Sequence, residues 1–292
     1  MFHSSAGLRR RNLFCQISFG KPEMTTSAPQ AVHSTEYSFS CRNITVEIGN
    51  KLLLSLDELA FDAAHITGLI GHNGSGKSTL LKLLAGQMAA TSGEINYAGR
   101  RVDKWGRRDL ARSIAYLPQT PPPTRGLLVR ELVALGRYPW HGAFGRFSEA
   151  DADKTDEAMR LTDIAHLADR LVDTLSGGER QRSWIAMMVA QDAKCLLLDE
   201  PTSALDVSHQ VEVLDLIREL SHARGLAAIV VLHDINMAAR YCDRLIALKN
   251  GKCVADDYPH ALLQPSVLED VYGIQMNVMP HPGGSGVLAY VD

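Results

Sequence analysis

The chain has 292 residues, 46% hydrophobic and 22% charged, with a formal net charge of −3. That length supports a buried core without disulfide or metal staples, and the near-neutral balance makes no electrostatic case for a nucleic-acid surface. The longest unbroken apolar runs, Trp184–Ala190 and Leu226–Leu232, have seven residues each, far short of the ~20 that a bilayer-spanning helix needs.

Residues 1–35 differ from the rest. They carry Arg9, Arg10, Arg11 and Lys21 against Glu23 alone, which leaves 26 basic and 32 acidic residues beyond them. Ser, Thr and Pro are frequent and no apolar period is sustained, so a disordered N-terminal extension is expected. The apolar stretch after Arg11 is broken by Cys15, Gln16 and Ser18, and no small-residue cleavage site follows, which argues against a signal peptide. Translation from Met24 would remove residues 1–23. The five cysteines are odd in number and show no C-x-x-C spacing, so free thiols are expected, not a disulfide framework or a zinc ribbon.

Tyr37–Ile48 and Lys51–Phe61 alternate apolar and polar residues and predict antiparallel strands. His65–Ile70 predicts a short buried strand, Lys77–Leu84 a helix closed by Gly86, and Ile95–Tyr97 and Ile114–Leu117 further strands. Four prolines between Pro118 and Gly126 break the pattern. Leu127–Ala190 is mostly helical, with Ser148 as an N-cap before Glu149, Asp151 and Asp153. Cys195–Leu198, Leu226–Leu232 and Leu245–Leu248 are continuous apolar runs, as in a parallel sheet covered on both faces, with helices Val207–Leu220 and Ile235–Tyr241 between them. The order predicts an α/β P-loop core with an N-terminal antiparallel β-subdomain and an inserted helical subdomain. Residues 36–118 and 191–292 form the core in this reading and 119–190 the insertion.

Gly71-His-Asn-Gly-Ser-Gly-Lys-Ser78 fits G-x-x-x-x-G-K-[ST] between a predicted strand and helix. Gly71, Gly74 and Gly76 let the backbone curl until successive N–H groups, those of His72, Asn73 and Ser75 to Thr79 among them, face one phosphate. The helix that follows adds its N-terminal dipole. Lys77 is placed for the β- and γ-phosphates and Ser78 for Mg²⁺. Cys195-Leu-Leu-Leu-Asp-Glu200 is an apolar strand ending in two carboxylates. Asp199 can reach the Mg²⁺ shell, and Glu200 can orient and deprotonate an attacking water. Leu175-Ser-Gly-Gly-Glu-Arg-Gln-Arg182 sets Ser176, Gly177 and Gly178 before a helix expected from about Glu179. That makes a second, unlike anion site from a hydroxyl, bare backbone and a helix N-terminus.

Together these motifs resemble the ATPases of ABC transporters: Walker A at 71–78, Walker B ending in Asp199-Glu200, and the signature at 175–182. The resemblance runs from about Tyr37 to Tyr290 and implies the remaining roles. Gln119 matches the Q-loop glutamine, which contacts Mg²⁺ and the water. Ser203-Ala-Leu-Asp206 matches the D-loop, and His233 the switch histidine that contacts the γ-phosphate. Where many members stack adenine on an aromatic residue, this chain has Val46-Glu-Ile-Gly49, so the base-binding residue stays unassigned near Ile48.

Within the family the chain is most similar to ATPases of iron–siderophore importers, and among those to the ferric hydroxamate (ferrichrome) type. Val129-Arg-Glu-Leu-Val133, Gly136-Arg-Tyr-Pro-Trp-His-Gly142, Gly145-Arg-Phe147 and Leu232-His-Asp-Ile-Asn-Met-Ala-Ala-Arg-Tyr-Cys-Asp243 carry that likeness. It implies a peripheral ATPase on the cytoplasmic face of the membrane. Two copies would sandwich Mg²⁺-ATP between Walker A of one and Ser176–Glu179 of the other. Each would dock on an integral membrane permease and serve, indirectly, a substrate-binding protein. Trp140 and Phe144 are candidate permease anchors or core of the insertion. A catecholate siderophore, ferric citrate, haem or cobalamin are alternative cargoes. A non-transport ABC ATPase on DNA or ribosomes is disfavoured by the single cassette, the missing coiled-coil insertion and the acidic balance. Glu200 and His233 argue against a nucleotide-binding module without turnover.

Overall fold

The computed structural model describes residues 39–292 apart from 143–144 and 284–285. The expected disordered extension, the start at Met24, Tyr37 and Phe144 lie outside the described residues.

In chain order, β1 (Phe39–Ile48) and β2 (Lys51–Phe61) form a hairpin, and β3 (Ile66–Ile70) leads through the glycine-rich loop into α1 (Lys77–Leu84). β4 (Ser92–Tyr97), β5 (Arg100–Arg101), α2 (Arg107–Ser113) and β6 (Ile114–Leu117) follow. The insertion holds α3 (Val129–Leu135), α4 (Tyr138–His141), α5 (Glu149–Leu161) and α6 (Gly177–Ala190). The core resumes with β7 (Cys195–Leu198), α7 (Val207–Arg224), β8 (Ala227–Val231), α8 (Ile235–Tyr241), β9 (Arg244–Lys249) and β10 (Lys252–Asp257). The end of the chain adds α9 (Pro259–Leu262), α10 (Pro265–Tyr272), β11 (Asn277–Pro280) and β12 (Val287–Tyr290).

Two larger sheets result. One is antiparallel in the order β2-β1-β4-β5, and the other runs β10-β9-β3-β8-β7-β6. In the second, β9, β3, β8, β7 and β6 are parallel and β10 joins the edge antiparallel to β9. The whole insertion is thus the crossover between β6 and β7, which are neighbours in the sheet.

The apolar runs have the reason expected of them. Along β7, Cys195 and Leu197 enter one core while Leu196 and Leu198 enter the other. Ala227, Ile229 and Val231 of β8 likewise oppose Ala228 and Val230. Because successive side chains point to opposite faces, a strand covered on both sides has no polar face to show. The first core is continuous with the insertion, since Val129, Met159 and Trp184 pack with Leu198 and Val230. The other joins the central sheet to the antiparallel one, with Phe39 on Tyr97 at 4.8 Å and on Phe61 at 6.2 Å.

Three expectations need correction. α6 begins at Gly177, two residues before the expected Glu179. Ser176 is its N-cap, so Gly177 and Gly178 are the first helical residues. α7 continues to Arg224, where Gly225 ends it with φ 63°. α2 and everything after β9 had no counterpart in the sequence pattern. These pieces are short, and β10, at the sheet edge, is too exposed to show a buried run.

Candidate functional site

Gly71 turns the chain sharply between β3 and α1. Its φ is +134°, and an added Cβ would lie 2.1 Å from the Leu248 carbonyl oxygen of β9, so only glycine fits. Gly74 and Gly76 also have positive φ, and Gly76 is the N-cap of α1. The Lys77 ammonium, 5% exposed, donates to the carbonyls of Gly71 at 2.7 Å and His72 at 3.0 Å. Burial pulls its pKa down, and the carboxylates of Glu200 and Asp199 offset part of that. Ser75 takes Gly251 N–H on its carbonyl at 3.0 Å, which pins the loop to the β9–β10 turn.

Asp199 and Glu200 follow β7, whose neighbours β6 and β8 lead to Gln119 and His233. The Ser78 hydroxyl donates to Asp199 Oδ1 at 2.9 Å. Burial raises the Asp199 pKa, the Ser78 bond opposes that, and the charge of Glu200 raises it further. Glu200 has φ 52°, an unusual left-handed conformation for a residue with a side chain. Its two oxygens are taken separately. Gln119 Nε2 donates to Oε2 at 2.6 Å, and His233 Nε2 lies 2.6 Å from Oε1.

Asn73, Gly74, Ser75, Gly76, Lys77, Ser78 and Thr79 line one cleft of about 450 Å³ with Gln119, Glu200 and His233. Lys51 and Leu53 of β2 complete it, two residues that sequence reasoning missed. Ile48 is 61% exposed and does not line it.

The second anion motif stands apart from this cleft. The Ser176 hydroxyl accepts from Glu179 N–H at 3.3 Å, and the Glu179 carboxylate accepts from Ser176 N–H at 2.8 Å. These bonds, with Arg170 at 3.8 Å, hold the Glu179 carboxyl below its usual range. None of the described bonds of Ser176 or Glu179 reaches the loop at 71–78. A smaller cleft of about 290 Å³ lies where Gly177, Gln119, Glu200 and Ser203 converge.

Asp206 caps α7, accepting on Oδ1 from His209 N–H at 3.0 Å and lying 2.7 Å from His209 Nδ1. The same imidazole lies flush on Gly178, where an added Cβ would be 2.4 Å from His209 Cδ2. His209 was missed by sequence reasoning, although it lies one helical turn after Asp206. Trp140 is half-embedded. Its indole N–H donates to the Gln191 carbonyl at 2.8 Å, between the guanidiniums of Arg112 and Arg137 at 5.1 and 4.9 Å.

A profile described as "ABC transporter" matches residues 55–203, which include the loop at 71–78, Gln119, the 175–182 motif and Asp199-Glu200. The chain belongs to the ABC transporter family. It is 41% identical to the ferric enterobactin transport ATP-binding protein of Escherichia coli, over 82% of this chain and 84% of that one. It is 43% identical to a hemin import ATP-binding protein of Vibrio parahaemolyticus, over 83% and 94%. To the iron(3+)-hydroxamate import ATP-binding protein of Bacillus subtilis it is 38% identical, over 84% and 91%. Among solved structures, a dimeric post-hydrolysis state of the ATP-binding cassette MJ0796, bound to ADP and Pi, superposes with TM-score 0.66 and 26% identity. That match covers 76% of this chain and 98% of that one. The ABC chain is therefore an ATPase with the α/β P-loop fold expected from its motifs, and its resemblance to iron–siderophore importer ATPases holds. No helix among the described residues is long and apolar enough to cross a membrane.

Proposed function

We propose that this ABC ATPase powers import of a ferric siderophore, of the hydroxamate (ferrichrome) type, through an integral membrane permease at the cytoplasmic face of the membrane. The observation that carries the hydrolytic reading is Glu200, fixed at 2.6 Å by both Gln119 and His233 beside the cleft of Lys77 and Ser78. Each carboxylate oxygen keeps a free lone pair. Glu200 can therefore hold a water in line with the γ-phosphorus and take its proton as the new P–O bond forms and the bond to the leaving ADP oxygen breaks. Lys77 and the N–H groups of residues 71–79 meet the developing phosphate charge.

The donor set suits Mg²⁺: a buried carboxylate at Asp199, the Ser78 hydroxyl on it, and the Gln119 amide oxygen, all hard oxygens. Bound there with ATP, Mg²⁺ would neutralise charge on the β- and γ-phosphates.

Ser176, Gly177, Gly178 and Glu179 serve the ATP of a second copy in this reading, with Ser203 and Asp206 at the boundary between copies. Their separation from the loop at 71–78 within one chain and the dimeric cassette with ADP and Pi support it. ATP binding then favours the closed pair, and hydrolysis releases it. Half-exposed Tyr138, Trp140 and Phe147 on the insertion supply an apolar face for the permease. Cargo is recognised by the permease and a separate binding protein. The relatives named above divide between siderophores and hemin at similar identity, so hemin is the second reading.

The test is radioiron uptake by iron-starved cells lacking this chain, complemented with wild type or Glu200→Gln. Ferrichrome, a catecholate siderophore and ferric citrate are offered in parallel, with haem and cobalamin uptake as controls. Hydroxamate uptake restored only by the wild type is the expected result. Restoration of another cargo alone overturns the cargo reading. No restoration, from a chain that hydrolyses ATP, overturns the transport reading.

A further inference from the structure

Helix α8 begins two residues after His233 and is gripped from two sides by the end of the chain. Its N-cap is Asp234, whose Oδ1 accepts from Asn236 N–H at 2.8 Å and Met237 N–H at 3.0 Å. On the other side of His233, Leu232 N–H donates to the Leu69 carbonyl at 3.1 Å. The backbone at His233 is therefore fixed by β3 before it and by the seating of α8 after it.

The first grip is the β11–β12 hairpin. The Asn236 side chain donates from Nδ2 to the Ala289 carbonyl at 3.0 Å and accepts Ala289 N–H on Oδ1 at 2.8 Å. Pairs in an antiparallel ladder alternate between bonded and non-bonded. His281 N–H bonds the Gly286 carbonyl, so Ala289, opposite Val278, falls at a non-bonded position with both backbone groups turned outward. Asn236 thus behaves as a one-residue strand along the edge of β12. Ala289 is 5% exposed and belongs to the main core, so its side of this part-buried contact is held by packing.

The second grip is α9, which packs against α8 and is followed directly by α10. The Tyr272 hydroxyl is buried without a described partner. Its pKa is pushed up to about 12 by burial first and by the Asp234 carboxylate second. α10 is itself tied to β9 through Lys249 and Asp270, with Nζ 2.9 Å from Oδ1.

We propose that Asn236 is a positioning residue: its paired bonds to Ala289 let the C-terminal hairpin set α8, and through α8 the placement of His233 on Glu200. The proposal rests on the role given to His233 above. It makes the end of the chain, far from the phosphate-binding loop in sequence, part of the control of the hydrolytic step.

The test is steady-state ATP hydrolysis by the purified full-length chain, with thermal unfolding in parallel. Asn236→Ala is expected to lower kcat ~10-fold, the scale of a small misplacement at a reacting centre. KM for ATP and folding at the assay temperature stay unchanged. Ala289→Pro, which removes the N–H given to Asn236, reproduces the loss. His233→Ala/Asn236→Ala is no slower than His233→Ala alone, because Asn236 acts only through His233. Should Asn236→Ala not fold, Asn236→Asp, which keeps the acceptor for Ala289 N–H but sets an oxygen against the Ala289 carbonyl, shows a loss in the same direction. Wild-type kcat in the Asn236 variants, or losses that multiply in the double variant, overturn the proposal. A slow His233→Ala beside a normal Asn236→Ala sinks this inference alone. Wild-type turnover in His233→Ala sinks the histidine's role as well.

Discussion

At Glu200 two side chains divide one carboxylate between them, each taking a different oxygen, and this fixes its rotation. Gln119 can supply only a hydrogen bond, and the Glu200 side chain is 10% exposed while that of His233 is 42% exposed, so solvent meets the pair from the imidazole side. Glu200→Gln keeps the size and removes the carboxylate proposed as the base. We expect ATP binding to persist and turnover to fall ~10²–10⁴-fold, measured by nucleotide titration and phosphate release. Asp199 carries the opposite compromise. Its pKa is raised in the folded chain, chiefly by burial, so the folded state binds the proton more tightly than the unfolded one. Stability therefore falls as pH rises from the ordinary carboxylate range through the raised value. Asp199→Asn removes that penalty and retains a side-chain oxygen for Ser78. We expect a higher melting temperature at pH 7 together with lost Mg²⁺-dependent hydrolysis. A lower melting temperature would contradict the burial argument.

Among the elements, the ends of the helices tie the insertion together. α5 starts at Ser148, and Asp151 both completes its capping box and accepts from Arg137 Nε at 2.9 Å. Arg137, the N-cap of α4, in turn donates to the Ala190 carbonyl at 2.8 Å, so one buried ion pair joins the starts of α4 and α5 to the end of α6. Burial alone would raise the Asp151 pKa. The Ser148 hydroxyl and backbone N–H and the Arg137 guanidinium outweigh it and bring it down to about 2. An acid depressed on folding contributes stability above its unfolded pKa of ~4 and loses it as pH falls toward the folded value. Acid unfolding followed by circular dichroism should show this loss between about pH 4 and pH 2. Arg137→Ala, which strands the carboxylate, should lower stability at pH 7 by about 3 kcal/mol. Equal stability of the two chains would show that the pair holds nothing.

Across the whole molecule, the two anion motifs open onto different clefts, and Gln119 and Glu200 line both. If one chain's Ser176–Glu179 completes another chain's loop at 71–78, a block at one must act on the other. Ser176→Arg alone should abolish hydrolysis with nucleotide binding at Lys77 intact. Mixed with Lys77→Ala, it should recover part of the activity, because each mixed pair then holds one undamaged composite site. Activity measured against mixing ratio decides this, and no recovery at any ratio would count against composite sites.

The features whose physics is local were legible along the chain. Three glycines and a lysine over eight residues make a phosphate loop because backbone curl needs only neighbours. The apolar runs at 195–198 and 226–232 announced strands covered on both faces. Ser148 announced a helix start and the 175–182 motif a helix from about Glu179, though the bare Gly177 and Gly178 hid where α6 truly begins. What β6, β7 and β8 bring together as neighbours emerges in the folded chain. Gln119 and Glu200 meet 81 residues apart because parallel strands need long crossovers, and here the crossover is the helical insertion itself. No local pattern could show His209 lying on Gly178, Leu53 completing the cleft, or Ala289 pairing with Asn236. Those contacts depend on which surfaces the sheet order sets face to face, and that order is a property of the folded whole.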